Sequence, residues 1–161
     1  MKGKFGKGLI IGRFQPVHRG HVEAIRKALK ECEKVTIAIG SAQEKRTERN
    51  PFSAKERKKM IEKSLGKDTM RICFVYMRDF GNNGKWMKAL LKKCGNFDVA
   101  YSSNPIVASL LKKCGKVKPM RSRFRISGTE IREMIARGRK EWRKFVPEEI
   151  AKEVEKKLGK K

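Results

Sequence analysis

The sequence predicts an α/β fold in which helices cover a mostly parallel, doubly wound sheet. Two observations carry this prediction. Short apolar runs alternate along the chain with segments whose apolar residues recur at helical spacing, and glycine, proline or capping residues separate the two kinds of segment. Strands that alternate with helices favour parallel pairing through right-handed crossovers. The chain has 161 residues, of which 39% are hydrophobic, so we expect one sizeable core and a single domain over residues 1–161.

Five apolar runs are predicted strands. The first, GLIIGRF, is typical of a buried strand with a glycine near its end, and VTIAIGS and MRICFVYM are rich in β-branched or aromatic residues. The shorter runs FDVAYS and KVKPM complete the set. In chain order the predicted strands occupy residues 8–14, 35–41, 70–77, 97–102 and 116–120.

Six helices are predicted between and after these strands. In the first, over residues 18–32, the side chains of Val22, Ile25 and Leu29 fall on one face. Two more helices begin with the spacing of a capping box, in which a serine precedes a glutamate by three residues. These two helices occupy residues 52–66, with Ser53 and Glu56, and residues 127–138, with Ser127 and Glu130.

The other three helices are recognised by their ends. The hexapeptide LLKKCG occurs twice, and each copy brings lysines to the negative end of a predicted helix and a glycine just beyond it. Asn104 and Pro105 have the residue types that favour a cap and a first helical position. The segment PEEIAKEVEKKLG is amphipathic. These three helices occupy residues 84–95, 104–115 and 147–159.

The charge of the chain is its strongest compositional feature. Its 42 Lys and Arg outnumber 17 Asp and Glu, which gives a formal net charge of +25 and predicts attraction to polyanions. These residues are spread along the chain, without a basic tail or a recognised nucleic-acid motif, so a generally basic surface explains them at least as well as a polynucleotide site. Nucleic acid is therefore a partner that no motif supports.

Composition also predicts the cellular location of the protein and the redox state of its cysteines. No apolar run approaches the ~20 residues that cross a membrane, so we expect a soluble cytoplasmic protein without a membrane partner. The four cysteines form no CxxC pair and are expected to be reduced thiols. They are Cys32, Cys73, Cys94 and Cys114.

Polar, glycine-containing segments follow the predicted strands. They are GRFQP, IGSAQ, RDFGNNGKW, YSSNP and the run into SGTEIR. Because ligands of parallel sheets bind where the carboxyl ends of the strands meet, these segments are expected to form one site.

The only two histidines of the chain, His18 and His21, lie in the segment GRFQPVHRGH. A helix that begins near His18 places both on one face of its first turn, where free backbone N–H groups and the helix dipole attract phosphate. Gly20 between them would let a ligand approach the backbone. A metal site would need a third ligand, a Walker-type loop would need GxxxxGK[ST], and two unremarkable surface histidines are the remaining alternative.

These residues resemble a known family. GRFQPVHRGH resembles the HxGH signature of nucleotidyltransferases, and SGTEIR resembles the second signature of that superfamily. The segments between them resemble archaeal-type nicotinamide-mononucleotide (NMN) adenylyltransferases, in order and over nearly the whole chain. These segments are IGSAQ, RNPFSAKER, YSSNP and the spacing D-x-x-x-N-x-x-W. The resemblance implies a Rossmann-like fold and a single nucleotidyltransferase domain.

The resemblance implies transfer of the adenylyl group of ATP to NMN, with formation of NAD and pyrophosphate. A divalent metal, usually Mg²⁺, accompanies the triphosphate, no metal is held by protein ligands alone, and a homo-oligomer is expected. The implied catalytic residues are His18, His21, Arg13 and Arg132. The implied ATP-binding residues are Gly12, Phe14, Ser127, Thr129 and Arg132.

The acceptor side of the site is implied in the same way. Trp86 would stack on the nicotinamide ring, which is cationic, and short polar side chains would hold its carboxamide and ribose. These polar residues are Asp79, Asn83 and Asn104, and Arg49 and Arg57 could add positive charge from a mobile loop.

The sequence departs from the family pattern at Ser103, where glycine is common, and in its loose GNNG stretch. Two alternatives stay open. One is adenylyl or cytidylyl transfer to another phosphorylated acceptor, such as phosphopantetheine or an alcohol phosphate. The other is a basic nucleic-acid-binding module without catalysis.

Overall fold

The computed structural model describes residues 3–159. Its five strands are β1 (Phe5–Gly12), β2 (Cys32–Ile39), β3 (Ile72–Tyr76), β4 (Val99–Tyr101) and β5 (Lys116–Lys118). They form one sheet in the order β3-β2-β1-β4-β5, and every neighbouring pair is parallel. The order reverses between β1 and β4, so the switch point of this doubly wound sheet lies beside the end of β1.

Six α-helices and two short 3-10 helices connect and follow the strands. The α-helices are α1 (Arg19–Glu31), α2 (Ala54–Leu65), α3 (Asn83–Cys94), α4 (Pro105–Leu111), α5 (Gly128–Ala136) and α6 (Glu148–Leu158). The 3-10 helices are Gly66–Arg71 and Lys140–Lys144. No helix within residues 3–159 is long and apolar enough to cross a membrane.

Helices cover both faces of the sheet. On one face, residues of α1, α2, α5 and α6 pack with the sheet in one apolar cluster that includes Ile25, Ile61, Ile131 and Ile150. On the other face, Leu90 of α3 and Leu111 of α4 pack with Leu9 and Ala100 of the sheet. The fold is the three-layer α/β arrangement that the sequence predicted.

Local signals predicted the helix starts well. The side chains of Ser53 and Ser127 each accept a hydrogen bond from the backbone N–H of the glutamate three residues ahead. The side chain of that glutamate in turn accepts a hydrogen bond from the backbone N–H of the serine. Asn104 caps α4, with Pro105 at its first position. The strands end one or two residues earlier than predicted, and β1 begins three residues earlier, at Phe5.

Candidate active site

Two cavities open side by side where the carboxyl ends of the strands meet. The first cavity has a volume of about 390 Å³ and the second about 780 Å³. The first lies between the start of α1 and the start of α5, and the second lies between the ends of β1 and β2 and the helices α3 and α4. Arg13 lines both cavities, so its side chain stands at their boundary.

Most of the predicted residues line the cavity that corresponds to their assigned ligand. Those assigned to ATP or catalysis line the first cavity: Arg13, Phe14, His18, His21, Ser127, Thr129 and Arg132. Those assigned to NMN line the second: Asp79, Asn83, Trp86 and Asn104. One assignment differs, because Gly12 lines the second cavity rather than the first. Its carbonyl accepts the N–H of Gly40 (2.8 Å), which ties the ends of β1 and β2 together.

The two histidines cap the same helix reciprocally. The backbone N–H of His18 donates to Nδ1 of His21 (3.1 Å), and the backbone N–H of His21 donates to Nδ1 of His18 (3.2 Å). The imidazole rings stack with centroids 3.5 Å apart. Because each Nδ1 is an acceptor, each neutral ring carries its proton on Nε2, which is thereby a hydrogen-bond donor.

Burial keeps these rings neutral. It lowers the pKa of His18 from 6.5 to about 4. Burial also lowers the pKa of His21 well below 6.5, and the neighbouring His18 adds to that effect. A proton on Nδ1 would also break the reciprocal caps, so the geometry and the electrostatics favour the same neutral state.

Two glycines allow the close packing that this geometry needs. A Cβ on Gly20 would lie 2.9 Å from the imidazole of His18, so Gly20 makes room for that ring. A Cβ on Gly128 would lie 2.8 Å from the carbonyl oxygen of Gln15, so Gly128 lets α5 begin directly against the loop after β1. The first cavity therefore faces two helix N-termini, whose free N–H groups favour anions.

Phe14 has a backbone conformation that is rare for a residue with a side chain. Its φ is 55°, in the left-handed region, and its ring is buried against His21 with centroids 4.7 Å apart. Ser41, just after β2, also has a positive φ of 46°. Such strain is held by surrounding structure and is typical of functional loops.

Three arginines concentrate positive charge at the boundary of the cavities. Burial lowers the pKa of Arg13, and the charge of Arg49 lowers it further. The pKa of Arg132 is lowered by burial and then by Arg13 and Arg49. Mutual repulsion among guanidinium groups at one edge is relieved by an anionic ligand, so the charges at this edge favour an anion.

Arg132 is held in place by the loop after β1. Its Nη1 donates to the carbonyl of Gln15 (2.6 Å), and its Nη2 donates to Oγ1 of Thr129 (3.2 Å). The side chain of Gln15 donates to the carbonyl of Phe52 (2.8 Å) and accepts its N–H (2.9 Å). The site therefore depends on a buried glutamine that sequence reasoning missed, although it lies inside the quoted GRFQP segment.

The prediction for Arg57 is wrong. Arg57 lies within α2 rather than on a mobile loop, and its side chain is fully buried. The guanidinium donates to the carbonyls of Arg13 (2.8 Å), Gly40 (2.6 Å) and Ser41 (3.1 Å), and Nε donates to that of Ser53. Four of its five N–H donors are used within the protein, so Arg57 fixes the loops after β1 and β2 and is not a phosphate ligand.

Arg49 remains a candidate, because it is exposed and lines the second cavity. Its neighbour Asn50, which was not predicted, accepts a long hydrogen bond from Arg13 (3.5 Å).

In the second cavity the short polar residues are fixed by their neighbours. The amide of Gln43 donates to Oδ2 of Asp79 (2.9 Å) and accepts the N–H of Asp79 (3.1 Å). Oδ1 of Asn104 caps α4, which leaves its amide NH₂ available as a donor. The GNNG stretch is more ordered than the sequence indicated, because Asn82 caps α3 and brings Trp86 into its first turn.

The first cavity contains no carboxylate among its lining residues. Across residues 3–159, no three His, Cys, Asp or Glu side chains gather in the geometry of a metal site.

This topology, with a histidine pair at the switch point and a cationic helix start opposite it, defines a nucleotidyltransferase. Residues 9–134 match the family described as Cytidylyltransferase-like. A nicotinamide-nucleotide adenylyltransferase from Pyrobaculum neutrophilum is 38% identical over 159 residues, which are 95% of this chain and 89% of that protein. One from Caldivirga maquilingensis is 39% identical with the same two coverages. The chain therefore belongs to the nicotinamide-nucleotide adenylyltransferases.

Solved structures share this fold. A bifunctional NMN adenylyltransferase/ADP-ribose pyrophosphatase from Francisella tularensis superposes with a TM-score of 0.80 at 24% identity, covering 94% of this chain and 50% of that one. The same bifunctional enzyme complexed with AMP and a Mn ion gives a TM-score of 0.74 at 28% identity, covering 83% of this chain and 42% of that one. The chain thus spans half or less of that bifunctional enzyme.

Proposed function

We propose that this chain transfers the adenylyl group of ATP to nicotinamide mononucleotide, forming NAD and pyrophosphate. The observation that carries this proposal is the pair of adjacent cavities with Arg13 at their boundary. Family membership supports the reaction, since the relatives are named nicotinamide-nucleotide adenylyltransferases. We further propose that residues 1–161 form a single nucleotidyltransferase domain that assembles into a homo-oligomer.

The chemistry requires no base. An oxygen of the NMN 5′-phosphate attacks the α-phosphorus of ATP, a new P–O–P bridge forms, the bond to the bridging oxygen of the β-phosphate breaks, and pyrophosphate leaves. Because the nucleophile is already an anion, no proton has to be removed. Catalysis then depends on positioning two anions and stabilising the charge on the leaving group.

The first cavity supplies the groups for the triphosphate. The neutral rings of His18 and His21 would donate from Nε2 to phosphate oxygens, and this donation follows from the caps that occupy both Nδ1 atoms. Arg132, Thr129 and Ser127 would hold the triphosphate with the N–H groups at the start of α5. Arg13 would contact phosphates of both substrates.

The second cavity would receive NMN. Trp86 offers a flat ring for the pyridinium, and Asp79 and the free amide of Asn104 are placed for hydrogen bonds to its polar groups. Asn83 is exposed at the same wall, and Arg49 adds charge at the rim.

We propose that the metal enters as a Mg²⁺–ATP complex. The absence of carboxylates from the lining of the first cavity fits a metal that is held mainly by the triphosphate. When bound, the metal offsets the negative charge of the leaving pyrophosphate.

A coupled assay tests the proposal. Purified protein with ATP, NMN and Mg²⁺ should form NAD and pyrophosphate in equal amounts, and omission of the metal should abolish both. Release of phosphate or AMP without NAD would overturn the proposal.

A further inference from the structure

The helices α3 and α4, which cover one face of the sheet, carry lysines as their only charged residues. Together with the turns that end them they contain six lysines and no acidic residue, and all six are exposed. These lysines are Lys85, Lys88, Lys92, Lys93, Lys112 and Lys113. Between residues 80 and 129 the only acidic residue is Asp98, whose Oδ2 accepts the backbone N–H of Lys7 (2.8 Å).

These lysines lack acidic partners. The ion pairs within residues 3–159 involve residues of other segments, such as Lys157 with Glu56 and Lys118 with Glu31. Of the six, only Lys93 donates a side-chain hydrogen bond, to the carbonyl of Tyr76 (2.5 Å). The other five form what we call the lysine face: Lys85, Lys88, Lys92, Lys112 and Lys113.

The charge of the protein is therefore segregated in space. Helices α1, α2, α5 and α6, on the opposite side of the sheet, each carry at least two acidic residues. Lysines that are spread along the sequence are brought together on α3 and α4 without neutralising partners. The two LLKKCG segments contribute to this, because they end two helices that pack on the same face of the sheet.

The lysine face is directed away from the core. On α3, residues 85, 88 and 92 follow each other at intervals of three and four, so they share one side of the helix. Leu90 of α3 and Leu111 of α4 are fully buried on the sheet side. The one aromatic residue of the two helices, Trp86, lines the second cavity instead.

We propose that the lysine face binds the phosphate backbone of double-stranded DNA, independently of base sequence. Lysines supply point charges for phosphates but no base readout. Single strands need aromatic platforms for base stacking, and the lysine face offers no rings for this role. Duplex RNA is recognised partly through its 2′-hydroxyls, so it is included as a competing ligand in the test. Self-association through this face is disfavoured because it would bring like charges together.

The dimensions of the face fit a duplex. Helix α3 has 12 residues and is ~18 Å long. A duplex carries one charge per about 1.7 Å of its axis, so roughly ten phosphates pass along that length. Such contacts typically give dissociation constants of about 10⁻⁴ to 10⁻⁶ M at physiological salt.

Fluorescence anisotropy of a labelled duplex, measured at several salt concentrations with the full chain, tests the proposal. The test variant reverses four charges of the face: Lys88→Glu, Lys92→Glu, Lys112→Glu and Lys113→Glu. The matched control reverses four exposed lysines elsewhere that form no ion pair in the described chain: Lys30→Glu, Lys34→Glu, Lys59→Glu and Lys152→Glu. Both variants change the net charge equally.

We expect the test variant to bind duplex DNA at least tenfold more weakly than the control variant. The slope of log K against log salt should fall in magnitude by about 3.6, since each of the four lost phosphate contacts removes about 0.9. Equal weakening in both variants, tighter binding of a single strand or of duplex RNA, or no binding by the wild type at low salt would overturn the proposal.

Lysine acetylation provides a check that needs no variant. In the wild-type protein, duplex DNA should protect Lys88, Lys92, Lys112 and Lys113 from acetylation, as read by mass spectrometry. Lys30 and Lys152 should react equally with and without DNA. Uniform protection of all these lysines would contradict a defined face. Neither measurement depends on adenylyl transfer, so failure of the DNA-binding proposal can be distinguished from failure of the proposed reaction.

Discussion

His18 and His21 each accept the backbone N–H of the other through Nδ1, at 3.2 and 3.1 Å. This reciprocal cap gives both rings a structural function and a chemical function at once. The cap starts α1 and fixes the tautomer, and the fixed tautomer presents Nε2–H to the first cavity. The two functions can be separated by substitution, because an amide oxygen replaces Nδ1 without replacing Nε2.

We predict that His18→Asn and His21→Asn fold normally but lose activity. Asparagine is a good N-cap residue at position 18, and at both positions its Oδ1 takes the place of Nδ1, whereas the Nε2 donor is removed. The rate of the chemical step should fall ~10²-fold or more, the scale of losing one transition-state donor. Single-turnover kinetics with saturating ATP and NMN measure this rate.

Thermal unfolding of the same variants serves as the control for folding. Midpoints close to that of the wild type, with a slow chemical step, confirm the separation of functions. Unchanged turnover in both variants would remove the histidines from the mechanism.

Stability should depend on pH above the range in which carboxylates titrate. The pKa of His18 is about 4 in the folded protein and 6.5 in the unfolded chain, so the unfolded chain binds more protons between these values. The contribution of the neutral ring is complete above pH 6.5 and is lost as pH falls towards 4. Between pH 6.5 and pH 4 we expect His18 to lower the free energy of unfolding by about 3 kcal/mol. His21 lowers it further, in the same direction.

Urea unfolding at pH 7, 6 and 5 measures this dependence. These values lie above the range in which Glu56, with a pKa of about 2, loses its contribution. The double variant His18→Asn, His21→Asn should show a nearly flat profile. An equally steep profile in the double variant would show that other groups are responsible.

The same substitution should lower the free energy of unfolding strongly at Arg57 and barely change it at Arg49. Arg57→Met leaves the half-buried carbonyls of Arg13 and Gly40 without the guanidinium donor, so the free energy of unfolding should fall by at least ~2 kcal/mol. Arg49→Met, at an exposed position, should change it by less than ~0.5 kcal/mol. Denaturant titrations measure both values.

Ligand binding completes this comparison. Arg49→Met should weaken nucleotide binding in a calorimetric titration, because its charge is at the rim of the second cavity. Unaltered affinity would place Arg49 outside the site.

Trp86→Ala should weaken NMN and spare ATP. Stacking of an aromatic face on a cationic ring contributes ~0.5–2 kcal/mol, so NMN binding should fall roughly tenfold. ATP contacts belong to the first cavity, which Trp86 does not line. Separate titrations of each ligand test this. The NMN affinity of Trp86→Phe, which keeps a ring, should lie between those of the wild type and of Trp86→Ala. Equal weakening of both ligands would contradict the division between cavities.

Local sequence signals predicted much of the fold. Caps such as Ser53, Ser127 and Asn104 depend on bonds to residues two or three positions ahead, so they can be read from short segments. The alternation of apolar runs with helical segments is also visible along the chain, and it predicted the parallel sheet. The predicted positions of the strand ends were less accurate, because they depend on the register with neighbouring strands.

The misassigned residues depend on contacts between distant segments. Arg57 does not act as a loop cation, because its partners Arg13 and Gly40 lie at the ends of two strands that are distant in the sequence. Gln15 and Gln43 look ordinary in the sequence, and their importance appears only from the residues they hold, Phe52 and Asp79. The same is true of the lysine face, since spacing along the chain does not show which charges lack partners.

We propose that the second cavity selects nicotinamide mononucleotide as the acceptor of the adenylyl group. The most direct measurement is kcat/KM for a panel of phosphorylated acceptors under identical ATP and Mg²⁺ concentrations: NMN, phosphopantetheine and an alcohol phosphate. We predict that NMN gives the highest value and that Trp86→Ala lowers the value for NMN alone. An acceptor whose kcat/KM equals or exceeds that of NMN, or a Trp86→Ala variant that keeps full preference for NMN, would contradict selection of NMN by the second cavity.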